Sequence, residues 1–199
     1  MNLEKLRGEY KKARPAIKAA LEGYKKANDY FYEMCFCLLT PQSSAFKCDA
    51  CINELKKADF ISNNLEPSSI LRKHTRFHNT KAKYLLNLKE NYAKIIGGLE
   101  NSKLSHHKRE FLVREVPGLG MKEASHFLRN TGHTGLAILD RHILKNLSLL
   151  GVIEMPKTLT YRKYIDIEEK FRKFGETVGI AMDELDLLFW STETGRVFK

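Results

Sequence analysis

VPGLGMKEASHFLRNTGHTGLAILD, residues 116–140, decides how this chain is read. Ser105 starts the helical run HHKREFLVREV, the turn Pro117-Gly118-Leu119-Gly120 breaks it, and MKEASHFLRN resumes a helix that Gly132 ends. Two helices joined by Pro-Gly-x-Gly leave the first amides of the second helix unpaired and facing outward. Glycine lets backbone approach a partner closely, and a helix N-terminus attracts negative charge. Gly118 and Gly120 therefore form a candidate grip for an anion such as a phosphate. Glycine and proline also serve an ordinary helix–helix turn, so the turn alone leaves both readings open.

Two residues around the turn carry reactive chemistry. Lys122 falls in the first turn of the second helix, where a cation opposes the helix dipole. That field, together with partial burial, is expected to favour the free amine, which makes Lys122 a candidate nucleophile rather than one more surface lysine. Asp140 follows eighteen residues later and opens RHILKNLSLLG as an N-cap. A capped carboxylate is rigid and ionised, so it suits stabilisation of a developing positive charge. His142 reads as a local polar residue.

Outward from this stretch, apolar residues recur at three- and four-residue spacing and no long alternating run appears, which predicts an all-α chain of about ten helices. Leu3, Leu6 and Tyr10 stripe a first helix that Pro15 is expected to interrupt or restart. A second spans about 28–39 and stops before Pro41. Ser43 or Ser44 caps a third that turns Cys48, Cys51, Ile52 and Leu55 inward. A loop at Asn63, Asn64 and Pro67 leads to a short turn around Ile70 and Leu71. Thr80 is expected to cap KAKYLLNLKENYAKII, with Gly97-Gly98 as its end. A charged helix covers about 161–178 and a last one about 183–190, followed by a short tail.

Composition sets the partner. With 34 Lys and Arg against 24 Asp and Glu, the formal charge is +10, a long-range attraction for a polyanion. No apolar run approaches the roughly 18 residues that span a bilayer. The expectation is a soluble intracellular protein without a membrane partner, read as a monomer. All four cysteines, Cys35, Cys37, Cys48 and Cys51, lie in one stretch. A zinc site, a disulfide and buried thiols are all open, and the apolar helical context FYEMCFCLL favours thiols in a core.

At these residues the sequence resembles a known family. LVREVPGLGMKEASHFLRN and AILDRHILKNL are similar to the helix-hairpin-helix DNA glycosylases, and the lysine–aspartate interval fits. LLTPQSS resembles the segment with which that family fills the gap left by a flipped nucleotide, and TRFHNTKAKYLL the segment before its helix at the DNA face. The resemblance implies two helical lobes with the active-site cleft between them. Within a single unit over 1–199, the hairpin lobe would cover about 34–131, with the hairpin motif at 106–131, and the other lobe 1–33 plus 132–199. A hairpin lysine implies a glycosylase that is also an abasic-site lyase. Residues 152–199 hold no cysteine, so the iron–sulfur cluster of some branches is not expected. The short chain and the ending FWSTETGRVFK resemble the archaeal second type of 8-oxoguanine DNA glycosylase, which has no N-terminal β-domain.

The implied partner is double-stranded DNA containing 8-oxoguanine or an abasic site. The implied chemistry needs no cofactor, although the family allows a monovalent ion on the hairpin carbonyls. Lys122 and Asp140 would be catalytic. Gln42, the only glutamine, would fill the vacated stack or touch the opposite strand. Arg76, His78, Lys81, Lys83, Gly118 and Gly120 would contact the DNA backbone. 8-Oxoguanine carries a proton on N7 where guanine has an acceptor, so an anionic acceptor such as the terminal carboxylate of Lys199 would select it, with Phe198 or Trp190 stacking on the base. A plain reading makes Trp190 a core residue and the tail a frayed end. Two other functions compete: an endonuclease III-like lyase for oxidised pyrimidines, and a non-catalytic helix-hairpin-helix DNA-binding protein.

Overall fold

The computed structural model describes residues 2–198, which form ten α-helices and no strand. They divide into two compact units, Asn28–Phe127 and Met1–Ala27 with Leu128–Lys199. The first unit is built from α2 (Tyr30–Leu39), α3 (Ala45–Lys57), α4 (Ser68–His74), α5 (His78–Glu100), α6 (Ser105–Glu115) and the start of α7 (Met121–Asn130). Helix α2 is apolar nearly all round, with eight of its ten residues buried, and is the central rod of this unit. Its Phe31 packs against Phe60 and Tyr92, with ring centroids 6.0 and 5.1 Å away. Cys35, Cys37, Cys48 and Cys51 are all buried thiols of this core, none of them in a disulfide. Burial pushes Cys48 up to about 11 and Cys51 to about 12, so both stay protonated.

Helix α5 departs from the sequence expectation at both ends. It begins at His78, two residues before Thr80, and its cap position is Phe77 in a left-handed conformation (φ 57°). It also continues through Gly97-Gly98 to Glu100. Gly98 is there for close packing: a Cβ would lie 2.1 Å from the Phe111 ring of α6. A glycine inside a helix reads as a stop signal in one dimension, and only the neighbouring helix reveals it as a contact.

The second unit contains α1 (Leu3–Lys25), α8 (Arg141–Leu149), α9 (Tyr161–Val178), α10 (Met182–Thr194) and the end of α7. Pro15 does not break α1, which runs unbroken over 23 residues. The carbonyl that Pro15 leaves without an amide belongs to Lys11, and both residues lie on the exposed face of α1, where an unpaired carbonyl costs least. Helix α10 is the core of this unit, with Leu185, Leu187, Leu188 and Phe189 buried against α1, α8 and α9. It extends to Thr194, four residues past the expected end, and Gly195 (φ 84°) turns the tail back.

Candidate active site

The hairpin is braced from three sides. Leu112, Val116 and Leu119 are buried beneath the turn, and the Leu119 amide donates to the Val116 carbonyl at 3.1 Å. Arg109, 1% exposed, reaches from α6 to Ser125 of α7 at 3.2 Å and ties the two helices together. Gly118 adopts φ 93°, and a Cβ there would meet the Tyr84 ring at 2.5 Å. Backbone conformation and packing both demand glycine at this position. Gly118 and Gly120 remain exposed at the head of α7, where the first-turn amides have no partner within the helix.

Lys122 sits one residue into α7 with its side chain 27% exposed. Its ammonium pairs with Glu123 Oε1 at 2.9 Å. The sequence reading passed over Glu123, although an acidic residue in a helix's first turn is a recognisable signal. This carboxylate holds the lysine at the head of the hairpin helix.

Asp140 belongs to the other unit, and its position is over-determined. The connector from Gly132 is suspended on α9 and α10: Gly135 N donates to Asp183, Ala137 N to Glu168 at 2.7 Å, and Leu139 N to the Tyr164 hydroxyl at 3.3 Å. Asp140 Oδ1 then accepts from the amides of His142 (2.8 Å) and Ile143 (2.9 Å). Both cap bonds fall on one oxygen, and among the described residues Oδ2 accepts none. Asp140 thus caps and still presents a free oxygen. Beneath it, Asp186 is ion-paired with Arg129 in the interior. Burial raises Asp186 to about 7, with Asp140 and Asp183 adding to the effect and Arg129 opposing it. His142 faces Glu193 at 3.7 Å and accepts from Arg141, in keeping with a local polar role.

The DNA-facing candidates separate into two groups. Gln42, Arg76 and Lys83 are exposed and His78 is half-buried. Gln42 has φ 54°, a strained backbone for a residue with a Cβ. Lys81 is a correction to the sequence expectation of a phosphate contact. It is 4% exposed, and its ammonium bonds the carbonyls of Leu39 (2.6 Å) and Pro41 (2.8 Å) and the hydroxyls of Ser43 (3.0 Å) and Thr75 (2.6 Å). Position in α5 explains the error: Lys81 and Lys83 point to opposite sides of the helix. Phe77 was not singled out in the sequence, yet it is 53% exposed and stacked by the Arg76 guanidinium at 5.3 Å. The signal was an aromatic residue flanked by basic ones.

Trp190 and Phe198 stack on each other with ring centroids 6.0 Å apart, and Arg196 lies over Phe198 at 5.7 Å. The tail is folded onto α10 as far as Phe198. Lys199 lies outside the described residues. Among the described residues no cluster of His, Cys, Asp or Glu is placed to hold a metal ion, and no helix is long and apolar enough to cross a membrane.

A glycine hairpin that leaves helix-start amides open, with a lysine at its head, is the geometry of a helix-hairpin-helix element. The comparisons are more specific. The family described as 8-oxoguanine DNA glycosylase (Ogg-HhH) matches residues 17–180. An 8-oxoguanine DNA glycosylase/AP lyase of Fusobacterium nucleatum is 43% identical, covering 96% of this chain and 94% of its own. One of Methanocaldococcus jannaschii is 40% identical, covering 88% and 85%. The crystal structure of the Methanocaldococcus jannaschii glycosylase/lyase in complex with a 15mer DNA containing 8-oxoguanine superposes with a TM-score of 0.90 at 34% identity over 99% of both chains. The chain belongs to the 8-oxoguanine DNA glycosylase family.

Proposed function

We propose that this protein excises 8-oxoguanine from duplex DNA and nicks the resulting abasic site, with Lys122 as nucleophile and Asp140 as its electrostatic partner. The observation that carries the reading is the lysine at the head of the braced hairpin, in a chain of this family. The open amides at Gly118 and Gly120 hold a backbone phosphate. Arg76, His78 and Lys83 add contacts along the strand, Phe77 offers a flat face to a base, and Gln42 enters the space left when the damaged nucleotide turns out.

Lys122, having given up a proton, forms a bond from Nζ to the sugar C1′ as the glycosidic bond breaks, its electron pair leaving with the base. The free Oδ2 of Asp140 stabilises the positive charge that develops on the sugar. Nζ then gives up a second proton and its lone pair opens the C1′–O4′ bond, O4′ taking up a proton; the resulting imine acidifies the C2′ proton, whose loss expels the 3′ phosphate and cuts the strand. An amine nucleophile and an elimination need neither metal nor redox cofactor. Trp190 and Phe198 offer the aromatic surface against which the base is read, and the terminal carboxylate of Lys199 is the acceptor for its N7 proton. The protein works on chromosomal DNA inside the cell.

Borohydride trapping tests this directly. Duplexes with a single 8-oxoguanine or a single oxidised pyrimidine are incubated with the parent protein and with Lys122→Gln. The parent is expected to give a covalent adduct on the 8-oxoguanine duplex and the variant none. An adduct of equal yield from Lys122→Gln removes Lys122 from the chemistry. Trapping confined to the oxidised pyrimidine reassigns the substrate.

A further inference from the structure

Residues Thr40–Ser43 form a tight turn closed by the Ser43 amide on the Thr40 carbonyl at 3.0 Å. Pro41 occupies the second place, where its ring fixes φ near −65°, and Gln42 the third with φ 54°. Proline followed by a left-handed residue is the pattern of a type II turn, whose third place ordinarily takes glycine or asparagine. A glutamine there is strained by about 1–3 kcal/mol, and something outside the turn must hold it. Type I and type II turns differ by a flip of the central peptide, here the one whose oxygen is Pro41 O. That oxygen accepts from Lys81 Nζ at 2.8 Å.

The same ammonium binds Leu39 O just before the turn and Ser43 Oγ at its end. It also binds Thr75 Oγ1, which is 2.7 Å from Ser43 Oγ. Ser43 Oγ in turn accepts from the Arg76 amide at 3.1 Å, next to left-handed Phe77. Among the described residues no carboxylate contacts Nζ, and the nearby thiols Cys48 and Cys51 stay protonated. Burial lowers Lys81 to about 8, offset in part by Cys48 and deepened by Lys122 and Arg76. An ammonium buried among neutral oxygens is a poor source of stability, but it fixes the direction of every oxygen around it.

We infer that Lys81 is a positioning residue that selects the left-handed conformation of Gln42, and thereby aims the Gln42 side chain at the DNA stack. This rests on the reading that Gln42 enters the space left by the turned-out nucleotide. Without the ammonium the central peptide of the turn is free to flip, Gln42 relaxes to negative φ, and its side chain points elsewhere. The loss concerns duplex DNA, where there is a stack to fill and a second strand to meet. The lysine chemistry on single-stranded abasic DNA does not involve this turn.

The test compares Lys81→Met, Gln42→Ala and the double variant in two assays: single-turnover excision from an 8-oxoguanine duplex, and borohydride trapping on a single-stranded abasic oligonucleotide. Lys81→Met is expected to slow duplex excision by about the factor seen for Gln42→Ala, and the double variant to be no slower than either. Trapping on the single strand by Lys81→Met should stay at the parent level. Multiplying effects, or full duplex excision by Lys81→Met beside a slow Gln42→Ala, overturn the role of Lys81. Full duplex excision by Gln42→Ala instead overturns the Gln42 reading beneath it. Should Lys81→Met melt below assay temperature, Ser43→Ala carries the test. It removes one oxygen from the ammonium and is expected to lower duplex excision relative to single-strand trapping, and an unchanged ratio refutes the inference.

Discussion

The proposed role of Asp140 gives one carboxylate two jobs, a helix cap and a charge facing the sugar, and the geometry separates them. Oδ1 accepts both cap bonds, from His142 N and Ile143 N, while Oδ2 accepts none among the described residues. Asp140→Asn keeps an oxygen for the cap, and Asn caps about as well as Asp, so stability should change by less than about 0.5 kcal/mol. Asp140→Ala removes both cap bonds and should cost about 1 kcal/mol. In a chain of this size that is a fall of roughly 2–4 °C in Tm. The negative charge is lost in both variants. If it stabilises positive charge on the sugar as a preorganised group, its removal is worth about 3–4 kcal/mol, or roughly 10²–10³ in rate. Single-turnover excision of 8-oxoguanine and thermal unfolding, run on the same preparations, read the two jobs independently. Excision should collapse equally in Asn and Ala, while Tm falls only in Ala. Parent-level excision by Asp140→Asn refutes the electrostatic role. A Tm for Asn as low as that for Ala, with excision lost in proportion, makes the residue a cap and nothing more.

Gly118→Ala adds a Cβ at φ 93°, 2.5 Å from the Tyr84 ring, and should destabilise by about 2–4 kcal/mol in denaturant unfolding; parent stability and parent DNA affinity together would show that the turn relaxes freely. Lys83→Ala should flatten the dependence of log affinity on log salt by about one unit if the exposed lysine neutralises a phosphate, and an unchanged slope returns Lys83 to the solvated surface. Deleting Phe198 and Lys199 strips Trp190 of the ring stacked 6.0 Å away, so 8-oxoguanine excision should fall while nicking of a ready-made abasic site continues; excision at the parent rate makes the tail dispensable for reading the base.

Residues whose meaning is local were legible in the chain. The Pro-Gly-x-Gly turn, the helix it starts and the cap at Asp140 all follow from hydrogen bonding within a few residues, and helix α9 appears where periodicity placed it. What tertiary structure decided is everything in which one residue answers to another far along the chain. Gly98 looked like a helix end and is a slot for Phe111; Pro15 looked like a break and sits inside an unbroken α1 on its exposed face. Lys81 and Lys83 are identical in sequence terms, two residues apart on a basic segment. One carries charge to the surface, and the other is buried against oxygens 6 to 42 positions away. Local patterns report the bonds a segment makes with itself. Desolvation, which turned a surface cation into an internal clamp, depends on which segments the fold closes around it.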